Sequence, residues 1–357
     1  MKLPDEYSAA RESITALTKL ISSTVIAGVI TVIGTGVYFW WAWNRPLPAT
    51  MNTYVVKPGT SMHAFAHELS GKGALPDRYS LVVLAYLRGQ ARHLKAGEYR
   101  FAAGSTPREL LDQVVAGRVV EYPLALIEGW TFKQVREALR EAPKLTHTLD
   151  GLSEDEIMAQ LGHPGLHPEG QFYPDTYYYS AGITDIALLH RAFERMQNRL
   201  QREWLTRDPE LPLRTPYEAL ILASIVEKET GRADERQMIA GVFINRLRKG
   251  MRLQSDPTVI YGLGSSFDGN LRLRDLQHDT PYSTYTRRGL PPTPIAMPGG
   301  EALAAVMHPL QTKALYFVAR GDGSHHFSES LQEHNNAVIK YQLGGKRKSF
   351  SSYSATN

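Results

Sequence analysis

The stretch 220-LILASIVEKETG-231 decides how this chain is read. Its first seven positions are apolar, Ala or Ser, and then two glutamates arrive on either side of one lysine. Upstream signals open a helix. Thr215 is a good N-cap, Pro216 suits the first helical position, Glu218 completes a capping box, and Gly231 is the stop. At about 100° per residue, Glu227 and Glu229 project from nearly opposite faces. Glu229 continues the bulkier stripe of Leu222, Ile225 and Val226, whereas Glu227 shares its face with Leu220, Ala223 and Ser224. A carboxyl on the bulkier stripe is partly desolvated, and it sits at the negative end of the helix macrodipole. Both effects raise its pKa toward the range of a general acid, so Glu229 is the better candidate. A solvated Glu-Lys-Glu fringe at a helix end is equally compatible with this stretch alone.

The downstream segments tip the balance. Ile239, Val242, Phe243 and Leu247 mark the face of a further helix that stops at Gly250. The loop after it, 251-MRLQSDPT-258, places Gln254, Ser255 and Asp256 before a proline. A Pro-rich segment, 279-DTPYSTYTRRGLPPTPIAMPG-299, carries Tyr282, Ser283, Thr284 and Tyr285. Upstream, the segment 167-HPEGQFYPDTYYYSAG-182 is dense in aromatics, prolines and acids and periodic as neither helix nor strand. Long irregular segments inside a compact domain tend to be functional, and these suit a sugar groove, with rings that stack and hydroxyls and amides that bond. Breaking a glycosidic bond needs an acid at the leaving oxygen and stabilisation of the developing sugar cation. Asp256 is the nearby candidate for a second carboxylate, as a hydrolase would need. One acid/base suffices if a hydroxyl of the sugar itself attacks.

Other chemistries find little support. There is no HExxH, no phosphate-cradling Gly-rich loop and no GxSxG elbow, and His325, His326 and His334 lack a matching carboxylate frame, so no metal or cofactor is expected. The chain of 357 residues has no cysteine, which excludes disulfides and thiolate chemistry and fits an oxidising compartment. Its formal charge of +4 is too small to argue for nucleic acid.

Residues 20–44, LISSTVIAGVITVIGTGVYFWWAWN, carry no charge over a length that spans a bilayer, and end in Tyr38, Phe39, Trp40, Trp41 and Trp43 just before Arg45. A retained single-pass anchor fits better than a cleaved signal, whose apolar region would be shorter and followed by a small-residue cleavage site. Residues 1–19 are then a cytoplasmic tail, although the positive-inside bias is slight. Residues 45–51 read as a Pro-containing linker, and strand, helix, helix, strand make a small α+β module over 52–104. A mixed α+β catalytic domain is placed at 105–342, with a second unit starting near Glu121, and 343–357 is a flexible tail.

At the segments ASIVEKET, VFINRLRKGMRLQSDPTVIYGLG, YSTYTRRGLPPTPIAMPG, EGQFYPDTY and HHFSESLQEHN, the chain closely resembles the YceG-like family of endolytic murein transglycosylases. The resemblance runs in order from the apolar span to about residue 342. It implies a LysM-like module before the catalytic domain, a single-pass protein of the cell inner membrane with its N-terminus cytoplasmic and its catalytic part periplasmic, and peptidoglycan glycan strands as substrate. It admits peptidoglycan synthases as partners. It also implies that Glu229, the second glutamate of the Glu-Lys-Glu motif, is the acid/base, that Gln254, Ser255, Asp256 and Tyr285 line the groove, and that Glu227 shapes the site. The product would be a 1,6-anhydro-N-acetylmuramic acid end. A muramidase using Asp256 on water, and a non-catalytic peptidoglycan-binding scaffold, remain as alternatives.

Overall fold

The computed structural model describes residues 6–48 and 52–343, and the chain divides into two compact units, residues 1–121 and 122–357. The first opens with α1 (Glu6–Asn44) and continues with β1 (Thr53–Val56), α2 (Met62–Gly71), α3 (Arg78–Leu87), β2 (Gly97–Arg100) and α4 (Pro107–Ala116). Over Ser13–Asn44, α1 is long and apolar enough to cross a membrane, and its most apolar stretch is not buried by any other part of the protein. Hydroxyls in this span bond back to carbonyls one turn earlier: Thr24 Oγ1 to Leu20 O at 2.9 Å, Thr31 Oγ1 to Ala27 O at 2.9 Å and Thr35 Oγ1 to Thr31 O at 2.8 Å. An apolar span can carry polar side chains on those terms.

β1 and β2 pair antiparallel, from Thr53 opposite Arg100 to Val56 opposite Gly97. Ser61 caps α2, accepting from Ala64 N at 3.2 Å, and Thr106 caps α4 with a complete capping box to Glu109. Two expected boundaries move. Helix α4 buries Leu110, Leu111 and Val114 in the same core as Phe65, Leu69, Leu81 and Tyr99, so it belongs to the first unit, and the division falls after Glu121, where the second unit was expected to start, rather than at 104. The linker expected over 45–51 is in part a packed strap. Leu47 is buried in that core and its N–H donates to Ser105 O at 2.7 Å, while residues 49–51 lie outside the described residues. The tail expected over 343–357 falls, from 344 on, outside them as well.

The second unit contains β3 (Glu121–Ala125), α5 (Phe132–Glu141), α6 (Glu154–Gln160), β4 (Thr176–Ser180), α7 (Asp185–Leu205), α8 (Pro216–Glu229), α9 (Arg236–Arg248), α10 (Asp256–Leu263), α11 (Leu273–Gln277), α12 (Gly300–Met307), β5 (Tyr316–Ala319), β6 (His325–Ser328) and α13 (Leu331–Tyr341). β3 pairs with β4, and β5 pairs antiparallel with β6 under α13. The strand β4 corrects the reading of 167–182 as irregular throughout. Tyr177 and Tyr179 point inward and Thr176 and Tyr178 outward, an alternation hidden in sequence because three of these four residues are tyrosine. Both inward hydroxyls are satisfied, by Tyr173 O and Pro143 O at 2.6 Å each.

Helix α8 is the centre of this unit. Every residue from Ala219 to Val226 is buried, because α7, α9, α10 and α12 cover it on all sides. A helix apolar all round is a core helix. Its start is half as expected: Thr215 accepts from Glu218 N at 3.2 Å, but the Glu218 carboxylate accepts from Arg214 N at 2.6 Å instead of closing a capping box. Its stop is not Gly231. The chain leaves the helix at Thr230, which is extended at φ −148° and ψ 136°, so Glu229 is the last helical residue.

Gly241 in α9 lets the chain at Leu310 approach closely, since a Cβ there would lie 2.5 Å from Leu310 O. Helix propensity favours Gly241→Ala by about 1 kcal/mol, whereas the clash is with backbone, which cannot swing aside. Steric repulsion is expected to win, with Gly241→Ala destabilising by about 2 kcal/mol, read as a lowered denaturant midpoint.

Candidate active site

The extended exit at Thr230 leaves the Glu229 carboxyl at the open end of a buried helix. Ser255 Oγ donates to Glu229 Oε1 at 2.5 Å. Ser255 holds the N-cap position of α10 but makes no capping bond, because its hydroxyl is turned to the glutamate. The expected loop at 251–258 is thus short, with Asp256 opening a helix and Pro257 in its first turn.

Ser255 is held from three sides. Its N–H donates to Thr284 Oγ1 at 2.9 Å, its carbonyl accepts from Thr258 Oγ1 at 2.7 Å, and the two threonine hydroxyls meet at 2.8 Å. Gln254 precedes it at φ +50°, a left-handed conformation costly for a residue with a Cβ, and its N–H donates to Thr284 O at 3.1 Å. Arg246 of α9, itself buried, secures this loop. Its Nη1 donates to Leu253 O at 2.7 Å and to Gln254 Oε1 at 3.3 Å, its Nε donates to Leu315 O at 2.6 Å, and its guanidinium lies 5.1 Å from the centre of the Tyr316 ring. Asp256 is exposed and accepts from Tyr285 Oη at 2.6 Å.

Glu229 keeps some exposed surface as a residue, yet burial is the largest influence on its carboxyl and pushes its pKa up to about 7. The Ser255 bond opposes the rise, the Asp256 carboxylate adds to it, and Arg246 opposes it. Arg246 is itself pushed down by burial, though it keeps its charge.

Glu227 faces elsewhere. It accepts from Gly299 N at 2.9 Å and lies 4.0 Å from Arg236, which also pairs with Glu301. Burial raises its pKa, the Gly299 N–H opposes this, and Glu128 adds to it. So Glu229, Ser255 and Gln254 form one cluster, Asp256 and Tyr285 pair beside it on the same two segments, and Glu227 holds the loop at Gly299.

Two groups escaped the sequence reading. Arg246 sits seven, four and three positions after Ile239, Val242 and Phe243, so a charge on the apolar face of α9 was the available signal. Glu169 carried no periodic signal. It is buried, accepts from Tyr261 Oη and Phe132 N at 3.0 Å each, and burial pushes it to about 7 against those bonds. His325 lies in β6 with its Nδ1 2.6 Å from Glu235 Oε2.

A carboxyl poised near neutrality beside a fixed hydroxyl donor makes a site for general acid–base chemistry. Residues 54–340 match the YceG-like family, and the chain belongs to it. An endolytic murein transglycosylase of Bacillus subtilis (strain 168) is 29% identical over 303 residues, 80% of this chain and 83% of that protein. One from Streptococcus pneumoniae (strain D39) is 25% identical over 335 residues, 83% of this chain and 60% of that protein. A 2.6 Å crystal structure of a yceG-like protein from Listeria monocytogenes aligns with a TM-score of 0.51 and 28% identity, covering 80% of this chain and 98% of that one.

A carboxyl whose folded pKa is raised binds its proton more tightly in the folded state. Stability therefore falls as pH rises from the unfolded value, 4.5, through about 7. Glu229→Gln removes this penalty. The variant is expected to melt several degrees above the wild type at pH 8 and with it at pH 4.5, as calorimetry at the two pH values would show.

Proposed function

We propose that this chain is an endolytic murein transglycosylase, with Glu229 as its acid/base. The observation that carries the reading is the buried carboxyl of Glu229, raised to about 7 and tied to Ser255 at one oxygen only. Because Ser255 donates to Oε1, the proton resides on Oε2. It passes to the bridging oxygen between N-acetylmuramic acid and the next N-acetylglucosamine as that glycosidic bond breaks. The N-acetyl group stabilises the positive charge at the anomeric carbon. Oε2, now a base, takes the proton of the C6 hydroxyl while its oxygen closes the 1,6-anhydro ring. No water is consumed, and the scheme calls on no metal or cofactor.

Ser255 serves both halves, since its donated bond orients the neutral acid and stabilises the carboxylate formed on proton transfer. Gln254, Asp256 and Tyr285 line the groove, and Glu227 shapes it through the Gly299 loop. The same reading makes α1 a single-pass anchor in the cell inner membrane, with the N-terminus cytoplasmic and the catalytic part periplasmic. The unit around β1 and β2 is then a LysM-like module that docks glycan, and peptidoglycan synthases are partners beside which cleavage limits strand elongation. The Tyr285 bond occupies Asp256 Oδ1, which disfavours Asp256 as a free base for hydrolysis.

Mass spectrometry of fragments from purified glycan strands incubated with the full-length protein tests the reading. Anhydro-muramic ends from within strands are expected. Reducing muramic ends would show a hydrolase, and no new ends with binding intact a scaffold. Glu229→Gln is expected to lower cleavage by about 10²–10⁴-fold while glycan binding persists, and wild-type-like cleavage by that variant would sink the assignment.

Because the acid must start protonated, the wild-type rate is expected to fall as pH rises above about 7. Ser255→Ala removes a bond that lowers the Glu229 pKa, so its falling limb is expected at higher pH, with a reduced maximum rate. A limb that stays in place would separate Ser255 from the titrating group.

A further inference from the structure

We infer that the end of α1 and the first turns of α3 and α4 form an arginine collar that binds the phosphates of an anionic phospholipid surface. The inference rests on reading α1 as a membrane-spanning helix, and it concerns what the first unit does at that membrane.

The unit does not hang from the helix on a free tether. Tyr38 Oη donates to the Asp77 carboxylate, which also accepts from Tyr79 N at 2.6 Å and Ser80 N at 2.8 Å as the N-cap of α3. Trp43 Nε1 donates to Ser80 O at 2.8 Å. These bonds set the start of α3 against the last two turns of α1, at the level of the aromatic belt that marks a headgroup interface.

Three guanidinium groups surround this junction, each against an aromatic ring. Arg45 lies 5.4 Å from the centre of the Trp41 ring, Arg108 5.6 Å from Trp43, and Arg78 4.8 Å from Tyr79. Arg78 also donates to Tyr79 Oη at 2.6 Å. None of the three pairs with a carboxylate among the described residues. The acids beside them in sequence are engaged, Asp77 as above and Glu109 by Thr106 N at 2.8 Å. Arg108 Nε is buried with no hydrogen-bond partner among the described residues. Elsewhere in this unit arginine takes an acid when one is at hand, as Arg88 does with Asp112 at 2.7 Å.

Guanidinium groups with unused donors, placed over aromatic rings at headgroup depth, match the phosphodiester oxygens of lipids. The planar fork binds two such oxygens at once, and anionic lipids add a favourable surface potential. A single arginine would bind weakly. Three around one helix exit, on a unit whose tilt is fixed by the Tyr38 and Trp43 bonds, present one surface to the bilayer.

The absence of cysteine from the chain makes single-site labelling clean. The full-length protein would carry a spin label at Pro46→Cys, an exposed position beside Arg45, or at Ile30→Cys, in nanodiscs of phosphatidylcholine alone or mixed with phosphatidylglycerol. Access of a neutral nickel chelate to the label is the readout. The label at 30 is expected to be shielded in both lipids. At 46, access is expected to fall at least about threefold when phosphatidylglycerol is present. That fall should disappear in Arg45→Gln/Arg108→Gln, which leaves the Tyr38 and Trp43 bonds untouched. Equal access at 46 in both lipids, with 30 shielded, would overturn the collar while leaving the anchor. Persistence of the fall in the double variant would overturn the role of the arginines. Free access at 30 would overturn the anchor, and the collar with it.

Discussion

A helix buried on every side can offer a functional group only at an end, and α8 is such a helix. The site depends on that constraint. The run from Ala219 to Val226 is buried throughout, and the first positions after it with room for a charge are Glu227, Lys228 and Glu229, of which the lysine is exposed and the two acids are not. Neighbouring helices cannot withdraw to hydrate these acids without opening the core. Desolvation therefore leads the causes of the raised pKa at both. What separates them is the partner. Glu227 meets a backbone N–H and an arginine, which hold it as a strut for the Gly299 loop. Glu229 meets a single hydroxyl, which leaves its second oxygen uncommitted.

The hydroxyl is placed with more effort than one hydrogen bond would suggest. Arg246 brings a buried charge to the loop carbonyls, Gln254 adopts a left-handed backbone, and Thr258 and Thr284 close around Ser255. Each feature is unfavourable or neutral for folding taken singly: a buried cation, a strained residue, hydroxyls inside a core. Together they satisfy one another and fix Ser255 Oγ to within a narrow range. Local rules broken in concert are the mark of a site under functional demand.

Much of this was legible in the sequence, and the failures have physical causes. The α+β class, the apolar span, Thr215 as cap and the burial of α8 followed from periodicity and capping residues. The opposite-face reasoning favoured Glu229 over Glu227 by presuming unequal burial of the two faces of α8, whereas full burial lets both acids be desolvated. β4 was missed because Tyr177, Tyr178 and Tyr179 erase the contrast on which a period of two depends. The boundary at 104 failed because α4 looks self-sufficient in sequence, although its apolar stripe has no partner except the first core. Gly231 was read as the stop because glycine commonly ends helices, but an extended Thr230 ends this one without a left-handed residue. Arg246 and Glu169 show the limit most plainly: a buried charge is defined by what surrounds it, and its surroundings come from distant parts of the chain.

The continuity of α1 with the first unit has a consequence for how the chain tolerates changes in length. Helical phase and unit orientation are locked together, because Tyr38 and Trp43 on α1 and Leu47 just beyond it are each committed to fixed partners. One residue inserted after Trp43 would change the register between Trp43 and Leu47. One inserted in the apolar span before Tyr38 would rotate the whole unit by about 100° relative to the preceding helix, with no internal bond broken. The azimuth of the first unit about the axis of α1 is therefore encoded in the number of residues in an apolar helix, so an insertion there changes it and a substitution does not.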